Sequence, residues 1–377
     1  MLLDKKLKMR AVLHYLVVFF ALQTAHAQQK NLNLIIGTYT NSCESDGIYV
    51  YDFNTETADF QLKSATKGVV NPSFLTISED KKQVYATNES GNDSKISAFN
   101  YNSDSGILEF LNAKSSEGND PCHIINDDKN VLVANYSGGS IAVFGKNEDG
   151  SLSDKKQVIL HSGKSINTAR QEKSHIHQLQ FSPDGKYVFA TDLGADFIYF
   201  YKYYNNREAE ILEPFQVKKV KSGSGPRHLT FSKDGKNVYL VQELDGTLTV
   251  FKHRKKKLEV IQETTLITKD FKGEISAADI HFSPDEKFIY ATNRGTANTI
   301  SCFERKKDGT LKLVQTIKTE GKGPRNFAID PTGNFLLVAH QYTNEIVIFK
   351  RDKTNGKLTD TKKRIALCSP VCLVFTD

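Results

Sequence analysis

A short hairpin signature returns at near-constant spacing along the chain and restricts it to a circular, all-β repeat. Residues 78–88 read SEDKKQVYATN, 182–192 SPDGKYVFATD, 283–293 SPDEKFIYATN and 330–340 DPTGNFLLVAH. A shorter copy, SKDGKNVY, stands at 232–239, and a degenerate one, NDDKNVLVAN, at 126–135. In each, a strand ends near the first residue, a Pro-Asp-Gly-like turn reverses the chain, and a β-branched and aromatic strand returns. A third strand follows, such as 141–144 or 300–303, then a polar turn (Asp149-Gly150, Asp308-Gly309, Asn355-Gly356) and a fourth strand. Four antiparallel strands in about 50 residues make one propeller blade.

Aligned on the last residue of the second strand, the copies fall at Asn88, Asn135, Asp192, Gln242, Asn293 and His340, in steps of 47, 57, 50, 51 and 47. Six blades are explicit, and a seventh is split between the chain ends. Residues 34–39 (LIIGTY) read as a second strand with no first strand before it, and 368–375 (CSPVCLVF) as a first strand with nothing after it. Joining them closes a seven-bladed β-propeller and removes the sheet edges. The expected organisation is one propeller over residues 28–377. No Trp occurs in the 377 residues, which argues against a WD-type repeat.

The first 27 residues read as an address. Lys5, Lys6, Lys8 and Arg10 precede an apolar run at 11–22, and Ala25-His26-Ala27 offers the small residues that a signal peptidase reads. The run is too short to span a bilayer comfortably. Export to the periplasm or medium is therefore expected, with no membrane span in the mature chain. Of the formal net charge of +6, the leader carries +3, and the +3 left over 350 residues is too weak to imply nucleic acid. Cys43, Cys122, Cys302, Cys368 and Cys372 do not have zinc-site spacing. An odd count forbids full pairing. One disulfide is allowed, its partners undetermined, and Cys122, Cys302 and Cys372 sit among apolar strand residues.

Hairpin arithmetic gathers the chemistry. Residues equidistant from a turn face each other, so Arg227 falls opposite Gln242 and Glu243, Arg325 opposite His340 and Gln341, and His175 and His177 opposite the Asp192–Gly194 end. Blade starts and second-strand ends thus meet on one mouth of the channel, away from the Asp-Gly turns. That mouth is expected to collect His123, His175, His177, Arg227, His228, Glu243, Arg294, Arg325 and His340. The longest step inserts 161–174, a loop with Arg170, Gln171 and Glu172 that is placed to cover the same mouth. Convergent His, Arg and Glu at a channel mouth are what an active site needs. The competing structural readings are a cross-strand ion pair for Arg227 and Glu243 and channel filling for the histidines. The basic run at 252–257 reads as a solvated turn. Gly223-Ser224-Gly225 lacks the strand-to-helix context of a phosphate loop. No G-x-S-x-G or H-E-x-x-H motif occurs.

These residues resemble the lactonase family of seven-bladed β-propellers, the bacterial 6-phosphogluconolactonase type, which is related to fungal carboxymuconate-lactonising enzymes. The likeness spans the mature chain. It rests on Ile36-Gly37-Thr38-Tyr39-Thr40, Asn71-Pro72-Ser73-Phe74-Leu75, Asp120-Pro121-Cys122-His123 and Ala134-Asn135-Tyr136-Ser137-Gly138-Gly139-Ser140. Arg170-Gln171-Glu172 before His175-Ile176-His177, Gly225-Pro226-Arg227-His228-Leu229 with Glu243-Leu244, Asn293-Arg294-Gly295, and Gly323-Pro324-Arg325-Asn326-Phe327 complete it. The resemblance implies hydrolysis of an anionic sugar-acid lactone. Its catalytic set of one His, two Arg and a Glu maps onto His175 or His177, Arg227, Arg325 and Glu243. His123, Arg170, Gln171, His228, Arg294, His340 and Gln341 are then expected to bind substrate. Lys173-Ser174 stands where the family often has Gly-Pro, and His340 where it often has Asn. No metal or other cofactor is expected, and the chain is expected to be a monomer. The alternative is a non-catalytic exported propeller that holds a ligand or protein at the same mouth.

Overall fold

The computed structural model describes residues 31–254 and 257–376, so the expected leader lies outside the described residues. Seven four-stranded antiparallel sheets are present among them. From the innermost strand outward, blade 1 is Pro370–Thr376, Asn31–Thr38, Ile48–Asn54 and Phe60–Thr66. Blade 2 is Leu75–Ile77, Gln83–Asn88, Lys95–Tyr101 and Leu108–Ser115, and blade 3 is Pro121–Asn126, Asn130–Asn135, Ser140–Lys146 and Leu152–Leu160. Blade 4 comprises Ile176–Phe181, Tyr187–Asp192, Phe197–Tyr203 and Leu212–Lys219. Blade 5 comprises Pro226–Phe231, Asn237–Gln242, Thr247–Arg254 and Lys257–Thr265. Blade 6 runs Ala277–Phe282, Phe288–Asn293, Thr299–Arg305, Leu311–Lys318, and blade 7 Pro324–Ile329, Phe335–His340, Glu345–Arg351, Leu358–Ala366. The seven-bladed propeller expected from the repeat is the observed fold. Among the described residues no helix is long and apolar enough to cross a membrane.

Each second strand carries apolar side chains on both faces because both faces are covered. Asn130–Asn135, Asn237–Gln242, Phe288–Asn293 and Phe335–His340 are buried throughout. The core is accordingly a set of wedges between neighbouring blades. Leu132 and Val143 of blade 3 pack with Leu179 and Val188 of blade 4, and Tyr239 and Val250 of blade 5 with Ile280 and Ile289 of blade 6. The closing wedge joins Leu34 and Ile36 of blade 1 to Leu337 and Ile346 of blade 7. Pro370–Thr376 pairs antiparallel with Asn31–Thr38 and touches the innermost strands of both neighbouring blades. A disulfide between Cys43 and Cys368 ties the two chain ends across this blade, while Cys122, Cys302 and Cys372 are buried free thiols.

A side-chain clip recurs at the outer rim. Gln262 Nε2 donates to the Leu311 carbonyl (2.9 Å) and its Oε1 accepts from Leu311 N (2.7 Å). Asn112 grips Leu152, Gln157 grips Leu212 and Gln315 grips Leu358 in the same two-bond manner. Each clip fixes the first residue of a fourth strand to the preceding blade. At about 0.5–1.5 kcal/mol per bond, Gln262→Ala should lower unfolding free energy in urea by about 1–3 kcal/mol. A loss under about 0.3 kcal/mol would show that the clips contribute nothing.

Candidate active site at the channel mouth

The innermost strands do not enter the mouth in regular register. Pro226 pairs with Gln242 and His228 with Val241, so Arg227 is an extra, unpaired residue. The same bulge leaves out Cys122, His177, Arg325 and Val371, and a related one lies at Ala278-Asp279. A bulge bends the strand and re-aims a side chain. A second ring comes from the residue just after each second strand: Tyr39, Glu89, Tyr136, Leu193, Glu243, Arg294 and Gln341. The site is the meeting of these two rings.

Glu243 is its hub. Its Oε2 contacts Arg227 Nε and Arg294 Nη2, each at 2.9 Å, and its Oε1 contacts Arg170 Nη2 at 2.6 Å. Glu243 and Arg227 are fully buried, with side chains 4% and 2% exposed. This is far from a solvated surface pair, so its partners' removal carries the cost of an uncompensated buried charge. Arg227 Nη1 also donates to the Ala278 carbonyl at 2.5 Å, and Arg294 Nε to that of Ser276 at 3.2 Å. Burial alone would raise the Glu243 carboxyl. The guanidinium groups of Arg294, Arg227 and Arg170 outweigh burial and hold it at about 2. A carboxylate so engaged is a poor proton acceptor.

Arg170 arrives from the inserted loop 161–174, which thus reaches over the mouth. Its Nη2 lies 3.3 Å from the Tyr136 hydroxyl, and its side chain is 42% exposed. The loop's far end is pinned by Asp192, whose carboxylate accepts from His175 N, Gly194 N and the Ser174 hydroxyl. A Cβ on Gly194 would collide with the Lys173 carbonyl, so this close approach needs glycine. Gln171 faces inward instead of toward the mouth. Its amide donates to the Leu193 carbonyl (2.9 Å) and accepts from Asn167 N (3.2 Å), which makes it a loop anchor.

The histidines divide. His175 stacks on Tyr136 and spends both ring nitrogens, Nδ1 at 3.1 Å from the Tyr136 carbonyl and Nε2 at 3.1 Å from Glu172. Among the described residues, the one polar side-chain contact of the His177 ring is Nδ1 with Cys122 Sγ, at 3.9 Å, and the ring packs against Tyr136 and His228. Burial, then the nearby Arg227, His228 and Arg325, push its imidazole well below the ordinary 6.5. His123 stacks on Phe74 and is likewise held neutral, chiefly by burial. His228 is lowered to about 4 by burial and Arg227. His340 departs from the sequence expectation: its ring is fully buried against Gly321, and among the described residues neither nitrogen has a partner and no contact joins it to the cluster. Gln341 stands on the second ring, with its side-chain oxygen buried and unpartnered.

Arg325 forms no ion pair among the described residues. Its guanidinium lies 5.4 Å from the centre of the Tyr39 ring, and Tyr39 donates to Glu89 at 2.7 Å. Tyr39, Glu89 and Tyr136 were not singled out from sequence. Extending the second-strand alignment by one residue would have found them. Among the described residues no group of three or more His, Cys, Asp or Glu is arranged to hold a metal ion.

The family model described as lactonase, 7-bladed beta-propeller, matches residues 33–375. A 6-phosphogluconolactonase of Formosa agariphila is 38% identical over 86% of this chain and 94% of its own length. One of Bacillus subtilis is 34% identical over 90% and 97%. The solved structure of a periplasmic gluconolactonase of Pseudomonas aeruginosa superposes with a TM-score of 0.87 at 32% identity, covering 92% of this chain and 99% of that one. With its seven closed blades and this match over nearly the whole described length, the chain belongs to the lactonase family of seven-bladed β-propellers.

Proposed function

We propose that the chain hydrolyses the ring ester of an anionic sugar-acid lactone at this mouth, as a 6-phosphogluconolactonase-like enzyme that needs no added metal. The observation that carries the reading is the unequal charge balance. Three guanidinium groups converge on the single carboxylate of Glu243, while Arg325 forms no ion pair among the described residues and has Glu89 only as a neighbouring charge. A substrate carboxylate or phosphate supplies an ion-pair partner. His177, neutral and with Nε2 free of protein partners among the described residues, takes a proton from the attacking water. The water oxygen bonds to the lactone carbonyl carbon. Arg227 and Arg294 stabilise the resulting oxyanion. When the ring C–O bond breaks, protonated His177 returns the proton to the leaving alkoxide, which gives the open hydroxy-acid. Glu243 serves as the anion that aligns the arginines.

Export fits the same reading. The basic, apolar and small-residue order of residues 5–27 supports a cleaved leader, and a disulfide joining the chain ends suits an oxidising compartment. The Pseudomonas aeruginosa relative is itself described as periplasmic.

Two results test the proposal. Arg325→Ala should raise KM for an anionic lactone by about 10- to 100-fold, the worth of one charge-assisted hydrogen bond, and leave a neutral lactone little changed. Equal effects on both would remove Arg325 from anion binding. The acid limb of kcat/KM reports the free base, and activity is lost as His177 gains a proton. With its imidazole held below the ordinary 6.5, that limb should lie below pH 6.5. A limb above that value would exclude His177 as the base.

A further inference from the structure

Below the arginines, the channel holds a polar cluster that the hydrolytic scheme does not use. Asp279, on the innermost strand of blade 6, is 2% exposed. Its Oδ1 accepts from His228 Nδ1 at 2.8 Å and Ile280 N at 2.9 Å. Its Oδ2 accepts from His281 Nε2 at 2.9 Å, Asn326 Nδ2 at 2.6 Å and Phe327 N at 3.3 Å. Five donors on one buried carboxylate fix it in place and keep it ionised. Burial opposes ionisation, but His281 and the His228 hydrogen bond hold the Asp279 carboxyl well below its usual range.

A carboxylate beside Nδ1 dictates the tautomer. The proton of neutral His228 must sit on Nδ1, which leaves Nε2 as a bare acceptor on the far edge of the ring. That Nε2 is buried and unpartnered, and so is His123 Nδ1. The two rings stand 5.5 Å apart edge to face, and the His177 ring is 5.2 Å from His228. A buried acceptor that no protein group satisfies is free to take a hydrogen bond from a bound molecule. An acceptor locked in this way selects a donor, and a lactone hydroxyl is the donor that a sugar acid brings.

We propose that Asp279 is a positioning residue that locks His228 as the Nδ1–H tautomer, so that His228 Nε2 accepts a hydrogen bond from a hydroxyl of a polyhydroxylated lactone. This rests on the lactonase reading and adds a specificity determinant to it. A site built to receive a hydroxyl discriminates against the analogue that lacks one.

The test uses the purified mature protein, with glucono-δ-lactone as the hydroxylated probe and δ-valerolactone as the unsubstituted one. The ratio of their kcat/KM values should fall about 10- to 100-fold in His228→Phe and in Asp279→Asn, the cost of one lost buried hydrogen bond. Asp279→Glu should recover part of it. Imidazole nitrogen-15 shifts should show His228 as the Nδ1–H tautomer in wild type and as Nε2–H in Asp279→Asn. Gluconate binding by calorimetry supplies an arm free of turnover, and both variants should weaken it. An unchanged ratio in His228→Phe, or a wild-type His228 protonated on Nε2, would overturn the proposal. If wild type hydrolyses neither of these lactones nor 6-phosphoglucono-δ-lactone, the lactonase reading fails by itself. The proposal then stands or falls with gluconate: weakened binding in both variants supports it, and equal or absent binding overturns it.

Discussion

Removal of residues 368–377 should leave a chain that does not hold its ring. The deletion takes away the whole innermost strand Pro370–Thr376, exposes the edge of the next strand from Asn33 to Thr38, and strips Cys43 of its disulfide partner. Val371, Cys372 and Leu373 lose their burial between blades 7 and 2. Each fully buried apolar side chain of this size contributes about 1.5–3 kcal/mol, and removing a native disulfide typically costs about 2–5 kcal/mol. Together these approach the whole stability of a typical domain, about 5–15 kcal/mol. The open strand edge is also a template for pairing with another chain. The expected outcome is loss of the cooperative thermal transition, or aggregation in light scattering. A truncated protein with an unchanged melting temperature would mean that the ring does not depend on the shared blade.

At the mouth, His177→Gln and Glu243→Gln should separate chemistry from architecture. His177 makes no ion pair among the described residues, so its replacement should lower kcat by about 10²–10⁴-fold, the usual loss for a general base, with the melting temperature nearly kept. Glu243→Gln removes the one anion among Arg170, Arg227 and Arg294. Breaking such a buried pair costs about 3–5 kcal/mol, so this variant should lose stability as well as activity. If Glu243→Gln lost activity with no change in unfolding free energy, the carboxylate would be acting on substrate and not on the arginines. If His177→Gln kept full kcat, the base would be another group.

Much of this was legible in the sequence because a propeller writes its repeat in local turn chemistry. The residues aligned as second-strand ends, from Asn88 to His340, are the last residues of those strands, and the split blade pairs as the chain ends suggest. Hairpin counting also set Arg227 beside Glu243. What it missed depends on side-chain direction, which register does not carry. The bulges that turn Arg227, His177 and Arg325 into the mouth add one residue without any composition signal. His340 and Gln171 occupy rim positions, yet packing turns them inward. Arg294 becomes a third cation on Glu243 only because blades 5 and 6 are adjacent in space. Cys43 and Cys368 meet only through ring closure, so spacing gave no means of choosing them over Cys122 or Cys372.

The proposed function requires lactone turnover at this mouth. The direct measurement is acid release by purified mature protein in the presence of a chelator, with 6-phosphoglucono-δ-lactone and unphosphorylated sugar lactones, each against its spontaneous hydrolysis. Saturable release above the spontaneous rate is expected with at least one anionic sugar-acid lactone, reduced about 10²–10⁴-fold in Arg227→Ala. Release no faster than the spontaneous rate across the panel would contradict it and leave the mouth as a binding surface.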